Sequence, residues 1–177
     1  MLIHNWVIDP AHSEIEFKVR HLMISTVTGH FRKFSLNVRT EGDNFTTMQD
    51  LVLTIDTDSI DTNNKQRDQH LKSPDFFDSG QFNLMQFRGI AFEGSGTEGE
   101  LRGNLTIRDV TKQVMVAVTF GGIVVDPYGQ TKAGFTVEGK INRKEFGLTW
   151  SEVTEAGHII VGDDVRFHGE IQLIRND

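Results

Sequence analysis

A chain of 177 residues is long enough to close one sizeable core and short for two, so a single domain over residues 1–177 is expected. Acidic residues outnumber basic ones by 25 to 18, a formal net charge of -7, which argues against nucleic acid because its binders concentrate Lys and Arg. The absence of Cys excludes disulfides, zinc thiolate sites and thiol nucleophiles; with 13 Phe against two Trp and one Tyr, most rings carry no polar group, so what they face is expected to be dry.

Near the start, Asn5-Trp6-Val7-Ile8-Asp9 is strand-like. It stands in place of a basic stretch and an apolar run of about 7 to 15 residues, so a cytoplasmic location is expected. Ile15, Phe17 and Val19 then alternate with Glu14, Glu16 and Lys18, and Phe34, Leu36 and Val38 with Ser35, Asn37 and Arg39, which is the period of half-buried strands. Between these two strands, Leu22 to Thr28 reads as a short irregular segment. A further strand carries Leu51, Leu53 and Ile55.

A helix is expected over about residues 62–73, capped by Asp61 and Thr62 and ended by Ser73-Pro74, because a residue before proline avoids the helical region. Arg67, His70 and Leu71 share a face, Asp68 and Lys72 form a separate pair, and the helix suits a lid over a barrel mouth. Beyond it come strands at Phe82 to Phe92, Leu101 to Ile107, Val114 to Val125, Phe135 to Ile141 and Val165 to Leu173. Val114 to Val125 is far short of the roughly 18 apolar residues of a spanning helix and reads as a buried strand. About eight antiparallel strands without interleaved helices predict a barrel or a sandwich.

Gly103, Gly139 and Gly169 favour the barrel, since each stands in the apolar phase of its strand, where a sandwich core wants a large side chain. They either relieve strain at bends or leave room inside, and an eight-stranded barrel can hold one small ligand.

Most catalytic motifs fail. Gly94-Ser95-Gly96-Thr97-Glu98-Gly99 spells the dinucleotide fingerprint, but a strand follows where that motif requires a helix, so it reads as a hairpin turn. His12, His21 and His30 recur nine apart, which is no ligand spacing, and no metal is expected. The carboxylates are scattered over the polar phases, without an acid and base pair.

Several ordered blocks together resemble the YceI-like, polyisoprenoid-binding family. They are Trp6 to Ser13 leading to Phe17-Lys18-Val19-Arg20-His21-Leu22-Met23; Asp58 to Asn63; Arg67 to Ser73 with Asp75-Phe76-Phe77-Asp78; Gly103 to Ile107 with Val110-Thr111-Lys112; Ile141-Asn142-Arg143 with Phe146-Gly147-Leu148; and Val161-Gly162-Asp163 with Val165. The resemblance implies an all-β, elongated, antiparallel lipocalin-like barrel. Its apolar pore would accept a long polyisoprenoid lipid, such as an isoprenoid quinone or a prenyl phosphate, often in a homodimer, with no catalytic activity and no catalytic cofactor. One block departs: Phe82-Asn83-Leu84-Met85-Gln86-Phe87 lacks the Pro-x-Ile-x-Phe pattern, and the adaptable Met85 changes that wall.

A prenyl tail offers only CH surface, so its affinity comes from buried area, and Phe leaves no hydroxyl unpaired. Phe17, Val19, Phe34, Leu53, Phe76, Phe77, Phe92, Leu105, Val118, Phe120, Phe135 and Phe167 are the expected tail contacts, each with ordinary barrel core as its alternative. For the head group the candidates are His21, Arg67, His70 and Arg143; the two arginines could equally tether a neighbouring loop. Two other functions remain open on sequence: an enzyme acting on an isoprenoid in the same pocket, or a ligand-free interaction module with large side chains sealing the space around the three glycines.

Overall fold

The computed structural model describes residues 2–157 and 159–177. Among them eleven strands form: β1 (Ile3–Ile8), β2 (Glu14–His21), β3 (Ser25–Phe31), β4 (Phe34–Glu41), β5 (Asn44–Asp56), β6 (Ile60–Asp61), β7 (Leu84–Ser95), β8 (Glu98–Ile107), β9 (Val110–Val125), β10 (Thr131–Asn142) and β11 (Val161–Arg175). One α-helix, α1 (Lys65–Lys72), lies between β6 and β7. The strands follow the expected alternation; in β4, Leu36, Val38 and Thr40 turn inward while Ser35, Asn37 and Arg39 face out.

Eight strands close an antiparallel barrel in the order β1-β4-β5-β7-β8-β9-β10-β11, and β11 returns to β1 through Trp6↔Arg175, Val7↔Ile174 and Ile8↔Leu173. Because β11 has 15 residues, it has length to spare for a second partner, and its N-terminal part carries β2 from Glu170↔Glu14 to Val161↔His21. The switch between partners occurs at Pro10–His12, a single 3₁₀ turn whose first amide is satisfied by Asp9. Strands β2, β3 and β6 thereby lengthen the wall at one end.

Expectations for three segments are corrected. Leu22 to Thr28 is not irregular: Leu22 to Ile24 make a tight turn and β3 starts at Ser25, as the β-branched Thr26, Val27 and Thr28 suit a strand. The helix is shorter than residues 62–73, because Asn64 is its N-cap, accepting from Arg67 N. Asp61 instead accepts from Asn63 N and Arg32, and Asp68 accepts from the Thr62 amide and hydroxyl rather than pairing with Lys72, whose partner is Asp58. In β9 only the middle is buried, at Val116 and Val118; Val124 and Val125 are exposed where the strand overshoots the barrel.

The glycines do not leave empty space at their own positions. A Cβ on Gly139 would lie 2.2 Å from the Phe167 ring and one on Gly103 2.3 Å from the Phe87 ring, so each glycine makes room for a phenylalanine of the neighbouring strand to lie over it. Gly169 is covered in the same way by Val137. Gly94 to Gly99 is the expected hairpin turn between β7 and β8.

The two ends differ. Turns 42–43, 96–97 and 126–130 gather at one end, where Trp6 is fully buried and its Nε1 donates to Thr40 Oγ1 at 2.9 Å. Phe45, Phe120 and Phe135 stack beneath it at centroid distances of 4.8 to 5.9 Å and stop the bore. The helix α1, the 73–83 segment and the 143–160 connection gather at the other end.

Candidate ligand cavity

Between the aromatic stop and α1 lies an internal cavity of about 390 Å³, a size ordinary for small-molecule sites. Its walls come from β2, β3, β4, β5, β7, β8, β9, β10 and β11, and apolar side chains dominate them. Of the expected tail contacts, Phe17, Val19, Leu53, Phe76, Phe77, Leu105 and Phe167 line it.

Phe34, Phe92, Val118, Phe120 and Phe135 do not line it. Phe120 and Phe135 belong to the aromatic stop, Val118 is packed into core beside Phe87 and Val116, and Phe92 lies over Gly99. Phe34 packs between two core clusters. Alternation identifies the inner face of a strand but not the height along the barrel, and Phe120 and Phe135 stand where rings fill the bore, whereas Phe34, Phe92 and Val118 stand level with the lining residues Ile55, Leu101 and Val137 and are turned into packed core instead.

The mouth carries the polar groups. All four expected head-group residues border the cavity, but their donors are differently committed. Arg143, 2 % exposed, gives Nε to Gly162 O at 2.8 Å and Nη1 to Leu148 O and Trp150 O, both at 2.7 Å, while Nη2 reaches Val161 O at 3.3 Å. It is therefore a tether for the 148–162 segment, and burial holds its pKa below the usual arginine range. Arg67 gives Nε to Thr62 Oγ1 at 2.8 Å and Nη2 to Thr62 O at 2.6 Å, which leaves Nη1 without a protein partner among the described residues.

His70 sits 2.9 Å from Asp75 Oδ2 through Nε2, and its ring meets Phe76 and Trp150 edge-on at 5.2 and 4.8 Å. His21, at the end of β2, is exposed and borders the opening. Arg67, His70 and Leu71 face the cavity together, as their spacing on α1 requires.

Sequence reasoning missed Trp150, Arg20 and Arg108. Trp150 lines the cavity and packs on both His70 and Phe76, and being one of only two tryptophans was its single signal. Arg108 props the mouth from outside, its Nη1 reaching Phe76 O and Gly147 O with the guanidinium over the Phe82 ring. Met85, from the departing block, is 7 % exposed and faces the cavity opposite Ile55 on β5. No cluster of three or more His, Cys, Asp or Glu side chains suited to a metal ion exists among the described residues. Nor is any described helix long and apolar enough to cross a membrane.

The YceI-like domain model matches residues 6–173. The chain belongs to the YceI-like family. UPF0312 proteins of Staphylococcus aureus are 36% identical to it over 170 residues, covering 96% of each chain. Among solved structures, a YceI protein of Campylobacter jejuni superposes with a TM-score of 0.76 at 29% identity, over 89% of this chain and 90% of that one. BcnA of Burkholderia cenocepacia gives 0.80 at 23% identity over 93% and 98%, and a polyisoprenoid binding domain from Saccharophagus degradans gives 0.71 at 13% over 97% and 98%; these two likenesses establish the fold. The lipocalin-like barrel of this YceI-like chain is thus shared along nearly its whole length.

Proposed function

We propose that this YceI-like chain binds a long-chain polyisoprenoid lipid, such as an isoprenoid quinone or a prenyl phosphate, and carries or stores it without chemical change. The observation that supports this most is a cavity walled mainly by apolar side chains, with His21, Arg67, His70 and Arg143 gathered at one mouth. The tail enters toward Phe17, Leu53, Leu105 and Phe167, where each buried CH₂ contributes roughly 0.8 kcal/mol before the cost of ordering the chain. The head stays at the mouth, within reach of His21, Arg67 and His70. The Saccharophagus degradans domain, described as polyisoprenoid binding, agrees with this reading. Arg143 positions the mouth rather than touching the head.

Native mass spectrometry of gently purified protein, followed by organic extraction, tests the proposal. One intact prenyl lipid per chain is expected, and the same measurement reads the homodimer that belongs to this proposal; cell fractionation tests cytoplasmic residence. Absence of any lipid, together with no uptake of added prenyl lipids, would sink it. Recovery of a converted compound would replace carriage with catalysis.

A further inference from the structure

The turn joining β2 to β3 is built against backbone preference. Ile24 N donates to His21 O at 3.1 Å, and the two residues between them, Leu22 and Met23, have φ of +52° and +59°. Two consecutive residues are thus left-handed, a conformation that Asn and Gly accept and in which bulky side chains are strained. The arrangement is fastened rather than frayed: Arg20 donates Nη2 to Met23 O at 2.9 Å and Nη1 to Thr26 Oγ1 at 3.1 Å. Its outcome is that Met23 and Ile24 stand in solvent, 57% and 79% exposed.

A second exposed apolar pair lies alongside. Leu22 N donates to Ile160 O at 2.8 Å, and the adjoining Val153 and Ile159, bridged to each other, are 64% and 44% exposed. His21 and Ile160, the residues inside this pair of tips, line the cavity, so the exposed apolar side chains form part of the rim of the mouth. Glu152 and Glu155 flank Val153 and oppose the charge of Arg20 in the adjoining turn.

We propose that the rim docks on the surface of a lipid bilayer by shallow insertion of Met23, Ile24, Val153 and Ile159, which places the cavity mouth against the acyl region. The proposal rests on the lipid-carrier reading and names where the carrier loads and unloads. A free prenyl tail crossing water exposes all of its CH surface, whereas a docked mouth gives it a continuous apolar path. A few apolar side chains give reversible attachment rather than anchoring, and the flanking carboxylates make attachment depend on insertion instead of lipid charge.

The test is flotation with phosphatidylcholine vesicles, together with transfer of a prenyl quinone from loaded to empty vesicles. The triple variant Leu22→Asn/Met23→Gly/Ile24→Ser supplies the residues that the turn prefers, so it is expected to fold. Its vesicle-bound fraction and its transfer rate should fall at least tenfold, while its equilibrium uptake of detergent-dispersed quinone stays unchanged. Val124→Ser/Val125→Ser, which removes exposed apolar groups at the closed end, should leave flotation as in the parent chain. No flotation of the parent chain, equal loss in the closed-end variant, or loss of self-association without loss of flotation in the triple variant would overturn the docking proposal. Flotation abolished by the triple variant in a protein that takes up no prenyl lipid would uphold docking and overturn the carrier reading.

Discussion

The two ends of the barrel are built from the same residue types to opposite effect. At the closed end Trp6, Phe45, Phe120 and Phe135 pack on one another, and the indole N–H is answered by Thr40 inside the core. At the open end Trp150, His70 and Phe76 form a comparable group, but one side of it borders the cavity. Aromatic rings facing rings make a wall. Rings facing space make a binding surface, and the difference lies in what the neighbouring segments can reach. Near Trp6 the β4–β5 turn brings Phe45 across, whereas near Trp150 the connection is tethered back by Arg143 and leaves room.

Truncating each tryptophan should separate stability from binding. Trp6→Ala removes a fully buried ring and is expected to cost about 3–5 kcal/mol, a large part of the about 5–15 kcal/mol typical of a domain. Trp150→Ala removes a half-buried ring, and a cost of about 1–2 kcal/mol is expected. Urea unfolding reads both. Lipid retained per folded molecule should fall in Trp150→Ala and hold in Trp6→Ala; the reverse pattern would mean that the ends have been assigned wrongly. Phe120→Ala should cost about 2 kcal/mol, less than a fully buried ring, and should lengthen the bore. A shift of uptake toward longer prenyl chains, weighed by native mass spectrometry, would register the opened stop.

What could be read from sequence follows the same divide. Period-two alternation placed Phe17, Leu53, Leu105 and Phe167 on the inner face correctly, because the strand period is fixed by backbone geometry. It could not rank positions along the axis, so Phe120 and Phe135, also inward, were grouped with the wall of a cavity that they instead terminate. The in-phase glycines were legible as unusual, but what lies over them is set by cross-strand register: Phe167 stands directly opposite Gly139. Arg143 was recognisable as a fork; that its partners would be four carbonyls depended on the path of the 148–162 segment, which carries no periodic signal. Trp150, outside every strand pattern, was missed for that reason.

Arg67 sharpens the open end further, since its Nη1 has no partner among the described residues and the proposed head group would lie within its reach. Arg67→Ala should weaken binding of a prenyl phosphate about tenfold, which corresponds to about 1.4 kcal/mol and is modest for a charge-assisted hydrogen bond. A prenyl alcohol of equal length should change less than twofold. Thr62 keeps its bonds to Asp68, so the fold should be little affected. Equal losses for both ligands would show Arg67 shaping the mouth instead of meeting the head.

The smallest effect expected concerns pH, and it distinguishes the outer wall from the closed end. On the outer face His168 Nε2 lies 2.9 Å from Glu170 and Nδ1 3.2 Å from Glu138, with Glu16 opposite on β2. Burial works against the imidazolium, but the two carboxylates outweigh it and raise the pKa above its ordinary value of about 6.5. The stabilisation is therefore complete below about pH 6.5 and is lost as pH rises through the raised folded value. At the closed end Lys132 bridges Asp9 at 3.1 Å and Asp126 at 3.5 Å. Burial works against the Asp9 carboxylate, yet its bonds to His12 and Lys132 prevail and lower its pKa, while the bond to Asp9 chiefly raises that of Lys132. The Lys132 ion pairs are lost as pH falls below about 3.8 through the lowered Asp9 value, or rises above about 10.5 through the raised Lys132 value. Thermal unfolding between pH 6 and 8 should show stability declining with pH, and His168→Gln should reduce that slope. Lys132→Met should lower stability without altering the slope; a slope that instead followed Lys132 would move the neutral-range sensitivity from the wall to the closed end.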